Sequence, residues 1–488
     1  MSTASHDSTA PDSEKGPAPD GSRAAIADET AALRDAFESG RTRSIRARLD
    51  QLDALRRALR SERRRLTSAL EQDLGKGRID SAITELGVVT QEIAHTRRHL
   101  RSWLAPEKLT LGAMLAPSGG RLIREPLGLT LIIAPWNYPL NLTLSPLVAA
   151  IAGGNTVIVK PSEVAPATSA ALAHLIRTHL DPDWVRVVDG AAEETTALLE
   201  QRFDLIFYTG NGTVGRIVAR AAAEHLTPTI LELGGKSPLF VDQGVDLERA
   251  ARRIVWGKFS NTGQTCVAPD YLMATAKTVE ELLPHLRRAV RELYGPDPRR
   301  CEAYGRMIND KHFDRVVGLI DDDQVVLGGT RGSAGASGAD RASRYLPPTI
   351  MTGVDWTDPV MAEEVFGPVL PILTVDGPDE AIARIRERDK PLTAYVFTED
   401  RDLERRFAAE TSSGSLAVNL TLAHVGSPTM PFGGVGASGM GAYHGRAGLQ
   451  AFTHAKPVVH KPLRPDTLRL VYPPYRGLRR GLLSRLFR

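Results

Sequence analysis

At 488 residues the chain is long enough for roughly two to four domains and a large core. A hydrophobic share of 42% and a charged share of 24% suit a globular protein in water, and no run of about eighteen apolar residues is present to cross a membrane. Two cysteines exclude a disulfide framework and point to a reducing compartment, and a net charge of +3 excludes a broadly basic surface for nucleic acid.

Residues 1–24 are rich in Ser, Pro, Asp and Ala, with no basic cap and no apolar core. They read as a disordered tail and not as a secretory signal. Leu52, Leu55, Leu59, Leu66 and Leu70 recur at helical spacing and predict one amphipathic helix ending near Gly75. A second helix is expected over 81–103. The apolar stretches 127–136 and 155–161 predict buried strands, with a crossover helix over 140–152 between them. Stretches 183–190 and 203–210 continue the alternation, which implies a parallel sheet covered on both faces. After Leu231 the pattern restarts. A helix near Leu247–Phe259 leads into the turn NTGQTC, and alternating elements run on to about Ala417. Residues 328–338 read as a Gly/Ser-rich surface loop.

Four stretches carry residues suited to chemistry. Cys266 follows Asn261-Thr262-Gly263-Gln264-Thr265, a polar turn and not a packed strand, so it is a candidate nucleophile; Cys301 reads as inert. Asn137 in APWNYP closes an apolar strand, where an amide would either donate to a developing oxyanion or simply sit in a turn before Pro139. Gly210, Gly212 and Gly215 spell G-x-G-x-x-G between a predicted strand and helix, the context of a dinucleotide fingerprint. Glu232 lies 22 residues beyond Gly210. On spacing alone it is a ribose ligand, a buried general base, or a carboxylate satisfied by backbone N–H groups.

Taken in order, PWNYP, KPSE (160–163), FYTGNGTVG, LELGGKSP, NTGQTC, EEVFGP (363–368) and PFGGVGASGMGAYHG (431–445) resemble the aldehyde dehydrogenase superfamily over about residues 30–460. The wording of several motifs is closest to its class 3 branch, which includes fatty and aromatic aldehyde dehydrogenases. The resemblance implies an α/β fold with two Rossmann-like parallel-sheet domains and a small β oligomerisation arm. It places a cofactor-binding domain at 25–107 and 129–232, a catalytic domain at 233–417, and a bridging element at 108–128 and 418–460. It also implies that Cys266 attacks the aldehyde, that Asn137 and the Cys266 N–H hold the oxyanion, and that Glu232 activates the water that hydrolyses a thioester. Lys160 and Glu163 would meet the adenosine ribose, the loop with Gly210 and Gly215 would approach the pyrophosphate, and Glu364 and Phe366 would hold the nicotinamide ribose and ring. Glu232 thus passes from the ribose to the chemistry.

The same resemblance implies a homodimer acting on a small-molecule aldehyde, with NAD preferred and NADP as a second cofactor. Tyr138, Trp256 and Thr265 occupy the positions of an apolar substrate funnel, which suits aliphatic or aromatic aldehydes. Core packing is the other reading of Trp256. Two departures stand out: Gly212 replaces the hydroxyl residue usual there, and Leu420 follows Asn419 where class 3 commonly has Asp. The strand at Asn419 is expected in the dimer-forming sheet, passing the pocket mouth near His424, which reads equally as structural. No His/Cys/Asp cluster has ligand spacing, so no metal is expected. Two other activities remain open, a CoA-acylating dehydrogenase and a non-redox cysteine hydrolase using His424, His444 or His454 as base.

Residues 461–488 form a basic extension. Leu478, Leu482, Leu483, Leu486 and Phe487 line one side of a helical projection, with Arg on the other. This stretch, 476–488, suits peripheral contact with an anionic membrane face; packing over a partner's active-site mouth and plain disorder are the other readings. The expected location is cytoplasmic, at or away from the inner membrane face.

Overall fold

The computed structural model describes residues 20–112, 115–332 and 337–474. The first helix, Asp20–Glu38, begins inside the stretch read as a tail. The single helix expected over 52–70 is two, Ile45–Ser61 and Arg63–Leu74, broken at Glu62. Both halves bury their leucines on one side, so apolar spacing carried across the break conceals it. Gly75, left-handed at φ 61, ends the second half. The helix expected over 81–103 also divides, into Arg78–Ser81, a π turn Ala82–Gly87 and Val88–Trp103.

A six-stranded sheet has the order Gly439–Met440, Thr229–Leu233, Leu205–Gly210, Leu129–Ile133, Thr156–Lys160, Val185–Val187. Its strands are parallel except the short first one. Alternation along the strands divides two apolar clusters. Ile132, Val157, Val159, Phe207 and Ile230 face one way, with Leu147 and Phe452. Leu131, Ile133, Ile158, Ile206 and Leu231 face the other, with Ile26 and Val218. The chain moves outward from Leu129–Ile133 through Thr156–Lys160 and Val185–Val187, then returns to the other side of its starting strand. That reversal opens a crevice beyond the carboxyl ends of Leu129–Ile133 and Leu205–Gly210.

A seven-stranded sheet follows, ordered Val325–Leu327, Thr349–Met351, Val369–Thr374, Tyr271–Ala274, Pro238–Val241, Thr393–Phe397, Ser415–Val418. Only Val325–Leu327 is antiparallel to its neighbour. The third sheet is antiparallel and pairs Glu107–Leu109 and Thr453–His460 with the two sides of Gly119–Pro126. Residues 418–460 are therefore shared between sheets, since Gly439–Met440 joins the first. The helix read over 476–488 lies outside the described residues.

Candidate active site

The cysteine turn is built by backbone that few sequences tolerate. Helix Leu247–Phe259 runs into Asn261, Thr262 and Gly263, left-handed at φ 53, 56 and 71. A Cβ on Gly263 would overlap the carbonyl of Gly367, so glycine is required and the turn sits hard against the loop that follows Glu364. Gln264 secures the turn from inside: Nε2 donates to the Asn261 and Arg306 carbonyls at 3.1 and 2.9 Å, and Oε1 accepts from the Ile308 N–H at 2.9 Å. Cys266 emerges from it half-buried, packed against the cluster that holds Phe207, Ile230, Val267 and Tyr443.

Asn137 leaves the carboxyl end of Leu129–Ile133 and is 3% exposed. Its side-chain amide donates to the Gln264 carbonyl at 3.1 Å, and its own carbonyl accepts from Asn261 Nδ2 at 2.9 Å. Next to it, the Tyr138 hydroxyl and Thr265 Oγ1 share a hydrogen bond of 2.8 Å. Three sequence-predicted residues, Asn137, Tyr138 and Thr265, are thus joined to the cysteine turn by direct bonds.

Glu232 lies two residues after Ile230 on the same strand and so faces the side of the sheet where Cys266 packs. It is buried, and neither carboxylate oxygen has a hydrogen-bond partner among the described residues. A carboxylate satisfied by backbone N–H groups is therefore not what the structure contains. Burial pushes its pKa well above the ordinary carboxylate range. Burial also pushes the Cys266 thiol up, with smaller contributions from the negative charges of Glu364 and Glu232. Tyr443 is buried on the same side, its phenol raised by burial and then by Glu232 and Cys266. Sequence reading missed it; the only signal was its place in the 431–445 motif.

The cofactor candidates gather along the carboxyl edge of the six-stranded sheet. Lys160 ends its strand buried, with Nζ 2.7 Å from the Pro161 carbonyl and 3.5 Å from Glu163 Oε2. Glu163 is half exposed and borders a cleft of about 970 Å³ between helices Pro166–His179 and Ala192–Leu199. A cleft of that size, with the Glu163 carboxylate on its lining, has room for the adenosine half of a dinucleotide, while Lys160 lies buried one residue before the lining begins at Pro161. A Cβ at Gly210 or Gly215 would reach the Tyr208 hydroxyl or Leu233 Cδ2, so at both positions a neighbouring side chain would have to move. At Gly212 a Cβ would meet nothing nearer than Arg216 Nη1 at 3.6 Å, so no crowding demands glycine.

Glu364 packs its carboxylate over Gly234 and accepts from the Gly235 N–H. Burial, reinforced by Asp270, raises its pKa to about 8. Phe366, with φ 44, sets its ring edge-on to Trp136 at 5.3 Å. Trp256 is 38% exposed and is not core. His424 is 9% exposed and bonded to Ser415 Oγ at 3.1 Å, while His444 pairs with Glu92 at 3.1 Å. His454 lies in the three-stranded sheet, opposite Glu125. Neither His424 nor His444 is hydrogen-bonded to the thiol. Among the described residues no group of three or more His, Cys, Asp or Glu is placed to hold a metal, and no helix is long and apolar enough to cross a membrane.

Residues 5–458 match the model of the aldehyde dehydrogenase family. The rat protein named "Aldehyde dehydrogenase, dimeric NADP-preferring" is 45% identical over 92% of this chain and 98% of its own. The Pongo abelii "Aldehyde dehydrogenase family 3 member A2" is 44% identical over 91% of this chain and 90% of its own. The solved substrate-bound state of Staphylococcus aureus AldH superposes with a TM-score of 0.91 at 39% identity, covering 95% of this chain and 99% of that one.

Proposed function

The chain belongs to the aldehyde dehydrogenase family, and on that premise we propose that it oxidises apolar aliphatic or aromatic aldehydes to carboxylic acids with NAD(P). The observation that carries the mechanism is the buried carboxylate of Glu232, without a hydrogen-bond partner among the described residues, on the side of the sheet where Cys266 packs. Cys266 gives its thiol proton to solvent water and adds to the aldehyde carbonyl as a thiolate, giving a thiohemiacetal whose oxyanion is held by the Asn137 amide and the Cys266 N–H. The nicotinamide, held by Glu364 and Phe366 when bound, is the hydride acceptor. Glu232 then takes a proton from the water that attacks the resulting thioester, releasing the acid and the free thiol. An activated water would waste a thioester meant for CoA, so Glu232 favours hydrolysis over acyl transfer. Hydrogen bonds that take His424 and His444 elsewhere, and the place of His454 in the three-stranded sheet opposite Glu125, argue against the cysteine-hydrolase reading.

In this reading Lys160 and Glu163 hold the adenosine ribose and the 210–215 loop lies by the pyrophosphate. Glu163 favours a free 2′-hydroxyl, hence NAD with NADP as a second cofactor, whereas the rat relative's name gives NADP as that protein's preference. Tyr138, Trp256 and Thr265 line the aldehyde's path. Residues 25–107 and 129–232 form the cofactor domain, 233–417 the catalytic domain, and 108–128 with 418–460 the bridging element of a homodimer. The protein is cytoplasmic, with 476–488 making peripheral contact with anionic membrane.

NADH formation at 340 nm with hexanal, dodecanal and benzaldehyde, without CoA, tests the activity. Growth of absorbance that Cys266→Ser abolishes is the expected result. A signal that waits for added CoA would move the chain to the acylating reaction. Loss of liposome cosedimentation on deleting 476–488 is expected of the membrane contact, and unchanged cosedimentation removes it.

A further inference from the structure

Two buried charges that this chemistry does not use lie beside its oxyanion donor. Lys76 Nζ and Glu85 Oε1 form an ion pair at 2.7 Å, with side chains 1% and 0% exposed. Gly75 ends the preceding helix in a left-handed turn and delivers Lys76 inward. Glu85 belongs to the π turn Ala82–Gly87, and the wider turn re-aims a side chain that regular α-helix would direct elsewhere.

The pair grips both ends of residues 137–141. Lys76 Nζ is 3.5 Å from the Asn137 carbonyl oxygen and 4.1 Å from the centre of the Tyr138 ring. The second oxygen of Glu85 accepts from the N–H groups of Leu140 and Asn141 at 3.1 and 2.9 Å. Those are free donors at the start of helix Asn141–Gly153, where the helix dipole also favours a carboxylate. A buried ion pair is a weak stability device, since replacing both charges by neutral groups is often harmless to the fold. What this pair fixes is the path of the backbone that carries Asn137.

We propose that Lys76 and Glu85 are positioning residues for the oxyanion site, holding residues 137–141 so that the Asn137 amide is aimed before the carbonyl is attacked. The proposal rests on the role given above to Asn137. It acts through geometry and requires no contact between either charge and the substrate.

The double variant Lys76→Met/Glu85→Gln removes both charges with little change of volume. Its kcat for aldehyde oxidation should fall by about 10- to 100-fold, with KM for NAD within about two-fold of the parent. Alkylation of Cys266 by iodoacetamide, which builds no oxyanion, should keep its rate. Added to Asn137→Ala, the double change should lower kcat by less than about two-fold more, since residues acting through one another are not additive. Unchanged kcat, equal slowing of alkylation and oxidation, or a full multiplicative loss on Asn137→Ala would each overturn the proposal. If the double variant does not fold, Glu85→Asp alone, which keeps the ion pair's charges but shortens their reach to the helix N–H groups, is measured against the same outcomes. Where Asn137→Ala cripples the enzyme and the charge variants do not, only this proposal falls. Where Asn137→Ala keeps full turnover, the oxyanion reading falls and takes this one with it.

Discussion

The side-chain amide of Asn137 donates to the main-chain carbonyl of Gln264 at 3.1 Å, two residues before the thiol of Cys266. One amide hydrogen is thereby committed and the ring of bonds fixes where the other points. Because the return bond, from Asn261 Nδ2, goes to the main-chain carbonyl of residue 137, it survives loss of the side chain. Asn137→Ala should therefore leave the loop in place and lower kcat by about 10²–10³, some 3 kcal/mol of lost oxyanion stabilisation. Steady-state kinetics with wild-type KM for NAD would support this. A rise in KM for NAD with kcat intact would show that Asn137 serves the cofactor instead.

Glu232→Gln should separate the two halves of turnover. A burst of NADH near one per active site is expected, followed by little steady turnover, because the variant can form a thioester but cannot activate water. In the parent the raised pKa keeps the carboxyl protonated to higher pH, so thioester hydrolysis should speed up as pH rises and Glu232 ionises. The variant should lose that dependence. Stability carries the opposite sign. The unfolded carboxyl ionises first, so Glu232 costs folding free energy as pH climbs from its ordinary value toward the raised one. Glu232→Gln should melt above the parent at alkaline pH and level with it near pH 4; calorimetry across that range is the check.

How much of this was legible in the residues varies with what each signal depends on. The strand-edge motifs could be placed because apolar runs end where glycine, proline and asparagine begin, and those local signals set Asn137, Lys160 and Gly210 on one sheet edge. Glu232 had three readings on spacing alone. Strand parity and its lack of a hydrogen-bond partner among the described residues narrow them, and both follow from the sheet around it. The break at Glu62 and the π turn at Ala82–Gly87 left no trace, since apolar spacing passes unbroken through both. Lys76, Glu85 and Tyr443 matter through neighbours far away in the chain: the bonds from Glu85 cross 55 and 56 residues. No local window contains such pairs.

Glu364→Gln tests the electrostatics around the thiol. Burial is the main cause of the raised Cys266 pKa and the Glu364 charge comes second. Glu364 itself ionises at about 8, so its repulsion grows through the range where the thiol is assayed. Removing that charge should lower the thiol pKa and speed iodoacetamide alkylation by about three- to ten-fold at pH 9, where Glu364 is ionised, and by no more than about two-fold at pH 8, where it is half neutral, following the thiolate fraction. A superimposable rate–pH profile would mean that burial alone governs the thiol.

Gly212 and Gly215 share a G-x-G-x-x-G pattern and should respond oppositely. A Cβ at Gly215 would lie 2.8 Å from Leu233 Cδ2, on the strand that carries Glu232. Gly215→Ala should then make the Leu233 side chain give way at the face of helix Gly212–Glu224 and lower the melting temperature. A Cβ at Gly212 meets nothing nearer than 3.6 Å at the first turn of that helix. Gly212→Ser should fold at least as well, because it narrows the unfolded ensemble by about 0.4–1 kcal/mol. Its hydroxyl, pointing from a helix N-terminus, should tighten NAD binding in calorimetric titration by a few-fold. If Gly212→Ser instead weakens NAD as much as Gly215→Ala does, the backbone at 212 must itself approach the pyrophosphate. The fingerprint would then be a phosphate cradle in full, and not two packing glycines with a third by chance.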